Sequence, residues 1–146
     1  MSSSHASAPR ATGVEEEGST LPLILGYVLL ALVVIFVCVC ATDLYLAQKR
    51  LDALADSAAL AGADGFTVLA MDGEVRAELT DAGVAEQATA VVDVLSGEAS
   101  IVAAGTPDGV SARVTVAASW RPPLLSPFVP DGVPLESTAT SRTALR

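Results

Sequence analysis

From Leu21 to Ala41 the chain carries 21 consecutive residues without a charge, and no helix breaker separates that run from Asp43-Leu44-Tyr45-Leu46-Ala47-Gln48-Lys49-Arg50-Leu51-Asp52 beyond it. An α-helix rises about 1.5 Å per residue, so the run covers about 30 Å, the thickness of a bilayer's hydrocarbon core. Fourteen of its residues are Leu, Ile, Val or Phe. On an insertion scale they contribute about −4 to −8 kcal/mol, against which Pro22 and Gly26 count. Pro22 costs little in a first turn, where its missing N–H had no partner to lose. The run reads as a transmembrane helix over residues 19–42, with 43–64 as its amphipathic extension into water.

A secretory signal wants a basic flank and a shorter apolar stretch, whereas this run is long and follows Glu15-Glu16-Glu17. The small residues near Cys40-Ala41 nevertheless keep an exported soluble protein, released by signal peptidase, among the readings. Orientation is not decided by charge. Lys49 and Arg50 after the run outweigh Arg10 before it, which favours an internal carboxyl-terminal part, but long segments translocate regardless of charge.

Residues 1–18 are rich in Ser, Ala and Gly and hold the single histidine, His5, and are expected to form a disordered leader. Residues 65–146 are long enough for one small domain. With aromatics at only 4% of the chain, its core must come from Ala, Val and Leu, which bury little area per residue.

A 3,4 spacing runs through Leu30, Val33, Val37, Cys40, Leu44, Ala47, Leu51, Leu54, Ala58 and Ala61. It predicts an apolar seam that continues from the membrane into water, with Asp43, Gln48, Lys49, Arg50, Asp52, Asp56 and Ser57 on the other faces. The seam packs on the chain's own domain, on other subunits, or on each over part of its length. Cys38 and Cys40, two apart on a helix, project to different sides and cannot bridge each other. They read as small lipid-facing residues, with lipid modification or a cross-chain contact as the alternatives.

The helix is expected to stop at Gly62 to Gly65, before a short apolar segment, Phe66 to Ala70. A second helix is expected from about Asp81 to Leu95, capped by Thr80, with Val84, Ala88, Val91, Val92 and Leu95 on one face. Beyond Ser96-Gly97 the period changes to two. Ser100 to Ala104, the turn Thr106-Pro107-Asp108-Gly109 and the alternation Val110, Ala112, Val114, Val116, Ala118 predict a hairpin with one buried face. Trp120 and Phe128 flank a proline-rich loop, either closing the edge of the core or forming a docking surface. Leu135 to Thr143 reads as a last strand whose inward face the alternation leaves open. The fold class is α+β: a long membrane-spanning helix extending into a small domain with a second helix and a small antiparallel sheet.

The net charge of −9 and the lack of basic clusters exclude nucleic acid as a partner. A nucleophile with its base, or a metal-binding cluster, does not emerge from the pattern, so no enzymatic activity, no cofactor, no metal and no small-molecule substrate are expected. Glu15-Glu16-Glu17 is a solubilising run, and Asp72-Gly73-Glu74 fails the spacing of a calcium loop.

Gly18-Ser19-Thr20-Leu21-Pro22-Leu23, the apolar run, and then Asp43 to Ala63 with its Ala55-Asp56-Ser57-Ala58-Ala59-Leu60-Ala61 stretch resemble TadE/TadG-like proteins of Flp (tight adherence) pilus assembly, especially the short actinobacterial kind. The resemblance is strongest over 18–64. It implies a minor pilin or membrane-anchored assembly factor of a Flp-type pilus or related secretion apparatus. That subunit would be single-pass in the bacterial cytoplasmic membrane, with its carboxyl-terminal domain outside and other pilin-like or pilus-assembly proteins as partners. It also implies a candidate processing site at Gly18 and Ser19. Cleavage there would put Leu23 where pseudopilins of the family carry a glutamate, and the leader is acidic where theirs are basic. The alternative is a generic single-pass envelope interaction protein.

Overall fold

The computed structural model describes residues 20–71, 74–123 and 131–142. The leader with His5 and the acidic triplet, Gly18 and Ser19, the Asp72-Gly73 pair, the stretch from Leu124 to Pro130 with Phe128, and Thr143 lie outside the described residues. The fold is α+β: one long amino-terminal helix, a second helix and a three-stranded antiparallel sheet, with an additional two-stranded hairpin. Helix α1 spans Thr20–Asp64. The chain divides into two units, one ending at Cys38 and the other beginning at Val39.

In the first unit, the described part of α1 is apolar and exposed throughout, with only Phe36 half-buried. Leu21, Ile24, Leu30 and Val33 all keep more than half of their surface open. A soluble fold buries such side chains. An all-round apolar helix of this length with nothing covering it meets the requirement for crossing a bilayer.

In the second unit, α1 turns amphipathic. Leu51, Leu54, Ala55, Ala58, Ala59, Gly62 and Ala63 are buried, a stripe recurring at three and four residues. The helix ends at Asp64, where the Gly65 N–H donates to Gly62 O at 3.2 Å and tightens the last turn. Strands β1 (Thr67–Met71) and β2 (Glu74–Glu78) then pair antiparallel, with Thr67 opposite Glu78 and Met71 opposite Glu74. Strand β2 is not among the sequence expectations.

Helix α2 runs Asp81–Leu95 as expected, its N-cap Thr80 accepting a hydrogen bond from the Gly83 N–H at 3.2 Å. Val84, Ala88 and Val92 are buried and Val91 is half-buried, whereas Leu95 in the last turn is 62% exposed. Gly83 has a reason to be in the first turn. A Cβ there would lie 2.8 Å from Gly65 O, so the backbones of the two helix ends meet at a pair of glycines.

Strands β3 (Ser100–Gly105), β4 (Ser111–Trp120) and β5 (Val133–Arg142) form an antiparallel sheet in that order. A register shift at Val102 puts Ile101 opposite Val116 and Ala104 opposite Val114, so two residues three apart both face the core. Ala112, Val114 and Val116 are buried as the alternation predicts, but Val110 precedes the strand and is exposed. The inward face of β5 is Leu135, Ser137, Ala139 and Ser141, paired with Ala118, Val116, Val114 and Ala112. Strand β5 begins at Val133, two residues earlier than expected. Pro134 is accommodated because β5 is an edge strand, where a missing N–H costs no ladder bond.

The tight turn between β3 and β4 is organised by Asp108. Its carboxylate accepts from the N–H groups of Val110 (3.1 Å) and Ser111 (2.6 Å) and from the Ser111 hydroxyl (2.9 Å). Gly109 takes φ = 74°, a conformation that favours glycine, and its carbonyl receives the Leu79 N–H at 3.0 Å. The bonds from Val110 and then Ser111 hold Asp108 below its ordinary pKa of 3.8. A depressed folded-state pKa stabilises the fold above the unfolded value and loses that contribution as pH falls through the folded one. Asp108→Asn is therefore expected to lower the melting temperature at neutral pH and to flatten its fall below about pH 4, read by thermal melts across pH.

Candidate functional site

The segment of α1 from Asp43 to Ser57 is where the helix leaves the apolar run and meets the domain. Three of its polar side chains bond to the sheet. Asp43 Oδ2 accepts the indole N–H of Trp120 at 2.8 Å, Gln48 Nε2 donates to Glu136 O at 3.2 Å, and the Ser137 hydroxyl donates to Asp52 Oδ1 at 2.8 Å. Asp52 also accepts from Gln48 Nε2 at 3.1 Å and Lys49 Nζ at 3.0 Å. A partly exposed aspartate accepting three donors ties α1 to β5.

Asp52 lies off the apolar seam, as the spacing predicts, and the face it occupies meets β5. Helical spacing fixes which side of α1 a residue occupies, but not that Ser137, 85 positions later, will stand opposite it. Trp120 is likewise half-buried with its polar tip engaged, neither a plug of the core nor a free docking ring.

The donors set the electrostatics. The Ser137 hydroxyl first, then Lys49 and Gln48, lower the Asp52 pKa from 3.8, and the same Asp52 contact raises that of Lys49. Both groups are solvent-accessible, so the ion pair adds little by itself. The linkage runs as for Asp108: the clasp is intact above about pH 4 and weakens as acid protonates Asp52. Asp52→Ala is expected to lower the melting temperature at pH 7 and to narrow its difference from wild type at pH 3, as thermal melts at both pH values will read.

Beside the clasp is a groove of about 780 Å³. Ala47, Leu51, Leu54, Ala118 and Leu135 contribute its apolar surface, and Asp43, Arg50, Glu98 and Arg121 are among its polar lining. Among the described residues no group of three His, Cys, Asp or Glu side chains gathers as metal ligands would. What this region offers is surface for contact.

Of the seam residues, Leu51, Leu54 and Ala58 are buried, and Leu44, Ala47 and Ala61 are half-buried. Burial extends to Ala55, Ala59, Gly62 and Ala63, which the 3,4 spacing does not name. Gly62 sits at a close approach: a Cβ there would stand 2.9 Å from Val84 Cγ1 and 3.3 Å from Ala112 Cβ. Gly18 and Ser19 lie outside the described residues. Cys38 and Cys40 form no disulfide.

Residues 18–65 match the family model described as Putative Flp pilus-assembly TadE/G-like. The match takes in the apolar run, the whole of α1 and the Asp43–Ser57 segment. No curated protein and no solved structure matches the chain.

Proposed function

We propose that this chain is a membrane-anchored, non-catalytic subunit of a Flp-type pilus apparatus, inserted by residues 19–42 with its 65–146 domain outside the cytoplasmic membrane. The observation that carries the reading is the extent of the family match. It does not stop with the apolar run but continues through the amphipathic part of α1 to residue 65, which a plain anchor does not require.

The division of labour along α1 supports it. Within the second unit, the Leu51-to-Ala63 stripe is used up by the domain's own core. The exposed apolar surface of the first unit is left for lipid and for the helices of other pilus components. Small residues on such a helix allow close approach of a neighbour. Whether the subunit enters a filament or stays in the membrane turns on processing at Gly18.

The test combines genetics with mass. Deleting the chain is expected to reduce surface pili counted by electron microscopy, with recovery on re-expression. Unchanged pili, together with failure to co-purify any pilus component, would reject the reading. The intact mass of membrane-isolated protein then sorts the variants of it. A chain beginning at Ser19 is that of a processed minor pilin and an uncut chain that of an assembly factor. One beginning near Thr42 would mean secretion and would also reject the reading.

A further inference from the structure

Arg50 and Arg121 come from distant parts of the chain and line the same groove. In the second unit Lys49 is paired with Asp52, and Arg113 Nε donates to Thr140 Oγ1 at 3.4 Å. Neither Arg50 nor Arg121 has an ion pair among the described residues. The groove's lining also includes Asp43, which already accepts the Trp120 indole N–H, and Glu98, so it is the two guanidinium groups, without an ion pair among the described residues, that can take an anionic partner there.

The depth of the groove says which anion. Asp43 lies two residues past Ala41, about 3 Å along the helix axis from the end of the apolar run. Its bond to the Trp120 indole brings the end of β4, and with it Arg121, to the same level. The polar layer of a bilayer is about 5–7 Å thick on each side. Arg50 lies about 13 Å past Ala41, but helical side chains lean toward the amino terminus and a long arginine can extend back toward that layer. Trp120 and the exposed Tyr45 are the residue types that settle at this depth.

We infer that this end of the second unit is a lipid-contact surface, on which Arg50 and Arg121 take phospholipid headgroup phosphates and Trp120 and Tyr45 lie at headgroup depth. The inference rests on α1 being a membrane span and holds for either orientation of the domain. Guanidinium groups match phosphate with paired N–H donors, which lysines do less well. The contact would keep the acidic domain seated on the bilayer surface.

Trp120 is the chain's single tryptophan, so its fluorescence reports on this surface alone. The full chain is reconstituted into vesicles of phosphatidylcholine and phosphatidylglycerol in equal parts. A headgroup-labelled quencher lipid is expected to quench Trp120 more than one labelled deep in the acyl chain. Arg121→Gln and Arg50→Gln are each expected to shift the docked population about fivefold toward undocked, with circular dichroism unchanged. Arg121→Lys should fall between the glutamine variant and wild type. Alkaline carbonate extraction runs in parallel. Protein that stays in the pellet but shows only the quenching of a water-soluble tryptophan control, or quenching indifferent to both arginine variants, overturns the lipid assignment and leaves the span intact. Release by carbonate overturns both. Displacement by a soluble glutamate peptide, with inorganic phosphate inert, would give the two arginines to an acidic protein partner and overturn the lipid assignment as well.

Discussion

Leu51→Asp is expected to unfold the second unit outright. Leu51 is 4% exposed and packs in the single core that joins α1, α2 and the sheet. Removing a buried leucine side chain costs about 2–5 kcal/mol. The aspartate that replaces it must be buried charged without a partner, or protonated at neutral pH, and either adds to the loss. The total rivals the whole stability of a small domain, about 5–15 kcal/mol. The check is circular dichroism of the full chain in detergent micelles, where the first unit's helix persists and the strand signal disappears. Leu60→Asp, on the same helix but 59% exposed, should leave that signal intact. If both variants keep the strand signal, or both lose it, the face of α1 has been misassigned. A folded Leu60→Asp chain that fails to support pilus assembly would point to that position as a contact with another subunit.

Gly62→Val should be the next most damaging single change. Val84 Cγ1 and Ala112 Cβ already stand where its side chain must go, and both residues are fully buried. Val84 is β-branched in a helix and has one favoured rotamer, so it cannot swing aside. Even Gly62→Ala sets an overpacking cost of about 1–3 kcal/mol against about 1 kcal/mol of gained helix propensity. Valine adds bulk to the same clash and gives back less propensity. Denaturant midpoints followed by Trp120 fluorescence should rank wild type above Gly62→Ala above Gly62→Val. Val84→Ala combined with Gly62→Ala should lose less than the sum of the two single changes, because each relieves the other. A Gly62→Ala chain more stable than wild type would show that α1 is not packed this closely against Val84 and Ala112.

Much of the helical architecture is legible in the amino-acid sequence. The length of the apolar run and its unbroken continuation announce α1, and Thr80, the Val84-Ala88-Val92 spacing and Ser96-Gly97 delimit α2. These are local signals, set by periodicity and by the capping needs of helix ends. Strand β2 is hard to read although Asp72-Gly73 is a strong hairpin signal, because Glu74-Val75-Arg76-Ala77-Glu78 is short and its charges mask the alternation. The burial of Ala55, Ala59 and Ala63 was hidden for another reason. A heptad seam is a narrow stripe suited to a single partner helix, whereas α1 faces both a helix and a sheet and so buries a wider arc. Alanine carries no sign of which role it has.

The bonds of the clasp were not legible at all. Asp52 to Ser137 and Asp43 to Trp120 join residues 85 and 77 positions apart, and nothing about an isolated serine or aspartate names its partner. The groove follows from the same pairing of α1 with β4 and β5. Arg50 and Arg121 become a pair only once the fold brings them to one surface.

The core has a thermal consequence. Among the described residues its members are chiefly alanine, with valines and a few leucines, and the largest fully buried side chains are those of Val84, Val114 and Val116. Heat-capacity change on unfolding grows with the apolar area newly exposed to water, so this domain should fall below the usual value of about 12–15 cal/mol/K per residue. A smaller heat-capacity change flattens the stability curve. The domain's free energy of unfolding, modest at its maximum, should then vary little between cold and warm conditions.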